Sequence, residues 1–310
     1  MLKDFLSIHD LTQYQFNELM DLTWEVKEKP QRFQDRLKNR ILAMIFQKPS
    51  LRTRMTFEAG MLQLGGDAIY LSPSDIQLGT RESVYDVGKN LERWVDGIVI
   101  RTFAHQDIID LAQAACIPVI NALTDLLHPC QAMADFFTLK EKKGNLNNIT
   151  LAYVGDGNNV CHSLLFAAAK AGSRMAVATP SGYEPNPEIL KQAREDGKDT
   201  GFDVHLTSDP SEAVKEVDAV YTDVWASMGQ EHEKEQRAKI FAPYQVNGAL
   251  MSKATADALF MHCLPAHRGE EVTGDVIDSV QSVVFDQAEN RLHFQKAIML
   301  LLLEKVLKNG

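Results

Sequence analysis

The sequence predicts an α/β protein of two domains, each a parallel sheet flanked by helices, with a C-terminal helix that packs back on the first domain. Three observations predict it. Short apolar runs alternate with segments whose apolar residues recur at helical spacing, and such alternation builds parallel sheets covered by helices. The pattern is interrupted around 141–149, where charged residues, glycine and asparagine replace it and read as an interdomain hinge. The run Leu300-Leu301-Leu302-Leu303 near the end of the chain is too apolar to be left in water and needs a sheet to cover.

Taken in order, Leu11, Phe16, Leu19, Met20 and Trp24 give an amphipathic helix over 11–28 that Pro30 closes. The apolar run 41–45 is a buried strand, and Phe57, Met61 and Leu64 after it recur at helical spacing. Residues 67–71 form a strand, 72–82 a polar loop, and a helix follows to Trp94. A strand over 97–100 ends at Arg101, residues 105–115 are helical, 118–120 is a strand, and a helix begins near His128. Beyond the hinge come strands at 150–154, 175–178, 203–206, 219–222 and 259–262, with helices from about Val160, from 187 and over 231–240. A strand at 283–285 and a final helix complete the chain. The domains are thus 1–142 with a C-terminal helix of about 291–310, and 150–290. No low-complexity tract and no repeat of solenoid period is present.

Composition narrows the function. A chain of 310 residues is long enough for two domains of about 150 residues each. A net charge of −10, with no basic run to offset it, argues against a nucleic-acid surface. The cysteines Cys116, Cys130, Cys161 and Cys263 are widely spaced and form no CxxC pair, which suits free thiols in a reducing compartment. The N-terminus lacks a signal pattern and no apolar run approaches 18 residues. The expectation is a cytoplasmic protein that contacts no membrane.

Polar clusters sit where strands end, the edge at which open α/β sheets bind ligands. Ser50-Leu51-Arg52-Thr53-Arg54 joins a strand to a helix start, where unsatisfied N–H groups and the positive dipole end collect. Two arginines make that start fit for a dianion, although alone it reads first as an ordinary N-cap beside solvated arginines. Arg101 projects from the next strand toward the same edge. His128-Pro129-Cys130-Gln131 opens a helix, and its histidine suits donation to an oxyanion or carbonyl as well as plain capping.

In the second half, Gly155-Asp156-Gly157-Asn158-Asn159-Val160 tempts toward a dinucleotide site, but Val160 stands where the third glycine belongs. Asp223-Val224-Trp225-Ala226-Ser227-Met228-Gly229 offers a carboxylate for an ammonium and a turn for a zwitterionic end, or an N-cap and a loop. His262-Cys263-Leu264-Pro265 carries a thiol. His262, Cys263 and His267 imitate metal ligands without a fourth partner at suitable spacing, and a thiol nucleophile would need a histidine base from elsewhere in the fold.

Together, in this order and over nearly the whole chain, these five motifs resemble the aspartate/ornithine carbamoyltransferases. The Ser-Met-Gly loop and the His-Cys-Leu-Pro segment match the ornithine branch, which the aspartate branch lacks. Leu51 departs from the family, where threonine is common, and its side chain is dispensable if the backbone N–H binds. The resemblance implies transfer of the carbamoyl group of carbamoyl phosphate to the δ-amine of L-ornithine, giving citrulline and phosphate in a homotrimer. It implies a phosphate site of Ser50, Leu51, Arg52, Thr53 and Arg101, with Gln77 reaching it from its own or a neighbouring subunit. His128 and Gln131 would orient the carbamoyl group. Arg291 at the start of the last helix would be a further carbamoyl-phosphate ligand, and Cys263 and Leu264 would lie where the substrates meet. Asn159, Asp223, Ser227 and Met228 would grip ornithine. Cys263, Arg101 and His128 are the expected catalytic groups. No metal or organic cofactor is implied. Rival readings are a sibling transferase for acetylornithine or putrescine, and a nucleotide-binding regulatory protein.

Overall fold

The structure, a computed structural model, describes residues 2–226 and 231–304. Contacts divide the chain into two units, Met1–Ala134 with Asn290–Gly310 and Asp135–Glu289. The division by contacts falls inside a helix that continues to Lys143.

The first unit holds a four-stranded parallel sheet in the order β2-β1-β3-β4, with β1 Ile41–Phe46, β2 Asp67–Leu71, β3 Gly97–Arg101 and β4 Val119–Leu123. Strands β3 and β4 are buried along their whole length, which is why they read as continuous apolar runs instead of alternating ones. The edge strand β2 is half open, with Asp67 and Ile69 exposed. Around the sheet lie α1 Gln13–Glu28, α2 Arg52–Gln63, the single turn α3 Pro73–Ile76, α4 Val84–Trp94 and α5 His105–Ala114. Helix α1 starts on a capping box: Thr12 Oγ accepts from the Gln15 N–H and Gln15 Oε1 accepts from the Thr12 N–H. The turn α3 sits in the segment expected to be a loop, and Ser72 and Asp75 cap it reciprocally. Helix α6, Pro129–Lys143, leaves this unit at its sixth residue.

The second unit carries five parallel strands in the order β7-β6-β5-β8-β9: β5 Thr150–Val154, β6 Arg174–Ala178, β7 Asp203–Thr207, β8 Ala219–Thr222 and β9 Leu259–His262. Its helices are α7 Asn159–Ala171, α8 Pro187–Gly197, α9 Pro210–Ala213, α10 Lys234–Phe241, α11 Gly248–Met251 and α12 Gly274–Ile277. Three of these, α9, α11 and α12, are single turns too short to leave a periodic signal. The central β5 is flanked by β6 and β8, so its C-terminal turn opens at the point where strand order reverses.

The expected strand at 283–285 is not one. Residue Ser282 makes a single bridge to Phe260, and the chain then enters α13, Val284–Leu303. Val284 is buried while Phe285 is exposed, and three adjacent apolar residues do not tell a strand from the first turn of a helix. Helix α13 therefore begins seven residues before Arg291. From Asn290 on it belongs to the first unit, where Phe294 packs on Phe5 with ring centroids 5.8 Å apart and Leu303 closes on Gly97 of β3.

Candidate active site

In the first unit the strand β1 ends at Phe46 and helix α2 begins at Arg52, as a parallel sheet requires of a strand followed by its crossover helix. Ser50 Oγ accepts from the Thr53 N–H at 3.2 Å and so closes the first turn. Leu51, at the cap, is 73% exposed, while Thr53 is buried. Arg54 stacks on the Tyr70 ring at 3.6 Å and pairs with Glu58, so it is committed to the surface of its own unit.

The last helix meets this turn. Arg291, buried on α13, donates to Thr53 Oγ1 at 3.0 Å and to Gln131 Oε1 on α6. His128 and Arg101 are both buried, and His128 is close enough to Arg291 and to Arg101 to feel both charges. Burial, reinforced by the charges of Arg291 and Arg101, holds the His128 imidazole well below the ordinary histidine value of 6.5. It is therefore neutral at pH 7 and keeps one N–H to donate, beside two permanent cations. Thr53, Arg101, His128, Gln131 and Arg291 are thus brought together, from four separate stretches of chain.

Lys48 was not anticipated. It is buried, pairs with Asp125 and lies 4.3 Å from the Phe103 ring centre, which ties the turn after β1 to the one after β4. Its only sequence signal is a lysine inside an otherwise uncharged turn. Gln77 is exposed in the left-handed C-cap of α3, φ 40°, and the carbonyl of its neighbour Leu78 accepts from Gln47 Nε2 at 3.3 Å in the turn after β1.

In the second unit the glycine turn after β5 explains itself. A Cβ on Gly157 would meet the backbone N of Pro185 at 2.4 Å and the Tyr183 carbonyl oxygen at 2.7 Å, so the residue is small because another loop passes over it. Asn158 caps α7, its Oδ1 accepting from the N–H groups of Val160 and Cys161. A side chain thus fills the place a phosphate takes in a dinucleotide site. The same Asn158 donates through Nδ2 to Asp223 Oδ2 at 2.7 Å. The expected Asn159 is the first residue of α7; Asn158, which holds Asp223, was missed because two adjacent asparagines look alike in a sequence.

Asp223 leaves the end of β8, and the Cys263 thiol after β9 donates to its Oδ1 at 3.0 Å. Cys263 is half-buried. Leu264 has φ 56°, and its N–H donates to His262 Nδ1 at 2.9 Å. That bond fixes the proton of the imidazole on Nε2, which donates to Glu271 Oε1 at 3.1 Å. Burial raises the Glu271 carboxyl, but hydrogen bonds from His262 and the His267 N–H overcome it and leave it below its ordinary range. Ser227 and Met228 lie outside the described residues. Arg237 donates to Asp156 at 2.8 Å and to the Trp225 carbonyl at 2.9 Å, which anchors the chain just before them. Among the described residues two groups of possible metal ligands occur, Asp223 with His262 and Cys263, and His267 with Glu270 and Glu271. In the first, His262 already commits both ring nitrogens to the protein.

Two family models match the chain, one over each half. Residues 3–141 match the aspartate/ornithine carbamoyltransferase carbamoyl-P binding domain, and residues 147–302 match the Asp/Orn binding domain of the same family.

The chain belongs to the aspartate/ornithine carbamoyltransferase family.

Within this carbamoyltransferase family it is 52% identical over 306 residues to an ornithine carbamoyltransferase of Thermococcus kodakarensis, covering 97% of this chain and 96% of the relative. An anabolic ornithine carbamoyltransferase of Pyrococcus furiosus is 51% identical over 306 residues, with the same coverage of 97% and 96%. The solved ornithine carbamoyltransferase structure from Pyrococcus furiosus superposes with a TM-score of 0.95 at 50% identity, covering 98% of each chain.

Proposed function

We propose that this protein is an ornithine carbamoyltransferase, which moves the carbamoyl group of carbamoyl phosphate to the δ-amine of L-ornithine and releases L-citrulline and phosphate. The observation that carries the reading is the buried cluster of Thr53, Arg101, His128, Gln131 and Arg291 at the start of α2. Two buried cations with no carboxylate among these five residues suit a dianion that also presents a carbonyl.

In this reading residues 1–142, with the helix from about 291, hold carbamoyl phosphate, and 150–290 hold ornithine. Ser50, Leu51, Arg52 and Thr53 take the phosphate through backbone N–H and hydroxyl groups, with Arg101 and Arg291 supplying charge. Gln77 completes this site from its own or a neighbouring subunit. His128, being neutral, donates to the carbamoyl oxygen, and Gln131 orients the amide. As the amine attacks, charge builds on that oxygen; each donor aimed at it is worth about 3 kcal/mol of barrier. The phosphate then leaves as a group already neutralised by its cradle.

The attacking amine must first lose a proton. Asp223 faces the Cys263 thiol at 3.0 Å, and this pair receives the ammonium and relays its proton. Leu264 presents its backbone beside them, and Asn159, Ser227 and Met228 hold the amino-acid end. No cofactor takes part. Holding both reactants aligned supplies the largest share of the acceleration, up to roughly 7–11 kcal/mol. We read the protein further as a cytoplasmic homotrimer of arginine synthesis, in keeping with its free thiols and with the anabolic relative.

Citrulline formation from ornithine and carbamoyl phosphate tests this reading, with aspartate, acetylornithine and putrescine as competing acceptors. Only ornithine is expected to react. Carbamoyl-aspartate, or a faster reaction with putrescine, would overturn the assignment.

A further inference from the structure

The Cys263–Leu264 turn is held in a backbone shape that leucine rarely adopts, φ 56° at Leu264, and such a shape persists only when its surroundings over-determine it. The determining groups are few. The Leu264 N–H points back to His262 Nδ1 at 2.9 Å. The other face of that ring, Nε2, lies 3.1 Å from Glu271 Oε1. The same oxygen accepts the His267 N–H at 2.6 Å, and the second carboxylate oxygen lies 3.5 Å from His267 Nδ1. At the strand end, the His262 N–H donates to Gln287 Oε1 at 3.0 Å. Glu271 therefore grips the turn at both ends, through a side chain at 262 and a main-chain N–H at 267.

His262 and Glu271 are both fully buried. A carboxylate in that position is costly unless hydrogen-bonded, and an apolar residue of equal size would fill the space without the cost. We infer that Glu271 is a positioning residue of the transfer reaction: by orienting His262 it sets the backbone at Leu264 and hence where the Cys263 thiol meets Asp223. This rests on the function proposed above and adds to it a residue that touches neither substrate. What matters is the acceptor at Oε1, which takes both N–H groups, so glutamine can replace glutamate.

The experiment compares Glu271→Gln and Glu271→Ala with wild type in citrulline formation. Glu271→Gln is expected to stay within about threefold of wild type, whereas Glu271→Ala loses on the order of a hundredfold in kcat, the cost of misplacing a reacting group by about 1 Å. The KM for carbamoyl phosphate is expected to move less than kcat, because most of that substrate's residues lie in the first unit and only Cys263 and Leu264 belong to this turn. A pair at the histidine covers the case in which Glu271→Ala does not fold. His262→Asn keeps an acceptor near Nδ1 for Leu264, His262→Gln keeps only a donor near Nε2, and the asparagine variant is expected to be the more active. A wild-type enzyme that makes no citrulline overturns the function and this proposal together. An active wild type with Glu271→Ala at full kcat, with both Glu271 variants equally impaired, or with His262→Gln the more active, overturns the positioning role alone.

Discussion

At the residue scale, His128 shows how a side chain is tuned by company rather than by its own chemistry. Buried beside Arg291 and Arg101, it resists the proton that the unfolded chain accepts near 6.5. Below that pH the unfolded state binds a proton that the folded state does not, so stability falls as pH drops from 6.5 toward the depressed folded value. Above 6.5 His128 contributes no pH dependence. Urea unfolding at pH 7.5 and 5.5 should show a smaller loss for His128→Asn than for wild type; an equal loss would place the titration elsewhere. Within this cluster Arg101 and the turns carrying Thr53 and His128 were legible as polar residues where apolar runs end, whereas Arg291, seven residues into α13 and among polar neighbours, was reached only through the family resemblance. Lys48, Asn158 and Glu271 were not, because their importance lies in partners 77, 65 and 9 positions away, and spacing does not reveal which of two like neighbours turns inward.

At the element scale, the turn after β5 is shaped by close approach. Gly157 donates its N–H to the Tyr183 carbonyl at 2.9 Å, and the 183–185 backbone occupies the space of any side chain at 157. Gly157→Ala should cost about 1–3 kcal/mol and shift the adjacent Asn158, raising the KM for ornithine more than that for carbamoyl phosphate. Equal effects on both substrates, with unchanged stability, would reject this account. Alternation read nearly every strand correctly, since buried parallel strands are short apolar runs with polar ends. It failed at 283–285, where the first turn of α13 is as apolar as a strand, and at the single turns α3, α9, α11 and α12, which are shorter than the period that would disclose them.

At the scale of the whole molecule, the last helix joins the first unit and not the one that precedes it in sequence. The apolar run from Leu300 signalled that the helix must be covered, and Phe294 on Phe5 shows by what. Phe294→Ala should lower the unfolding free energy of the first unit by about 3–5 kcal/mol. Hydrogen exchange resolved along the chain would then show faster opening in β1, β3 and β4 than in β5, β6 and β8; uniform acceleration would contradict the division. The helix Pro129–Lys143 runs across the division between the two units.

The return of α13 also bears on how the protein is made. Residues 135–289 are contiguous and can fold as soon as they leave the ribosome, whereas residues 1–134 must wait, with Gly97 uncovered and Thr53 and Gln131 lacking Arg291, until the closing helix is synthesised. The half of the enzyme translated first is thus the half completed last, and a nascent chain stalled before position 290 would expose the face of that sheet at β3 to chaperones.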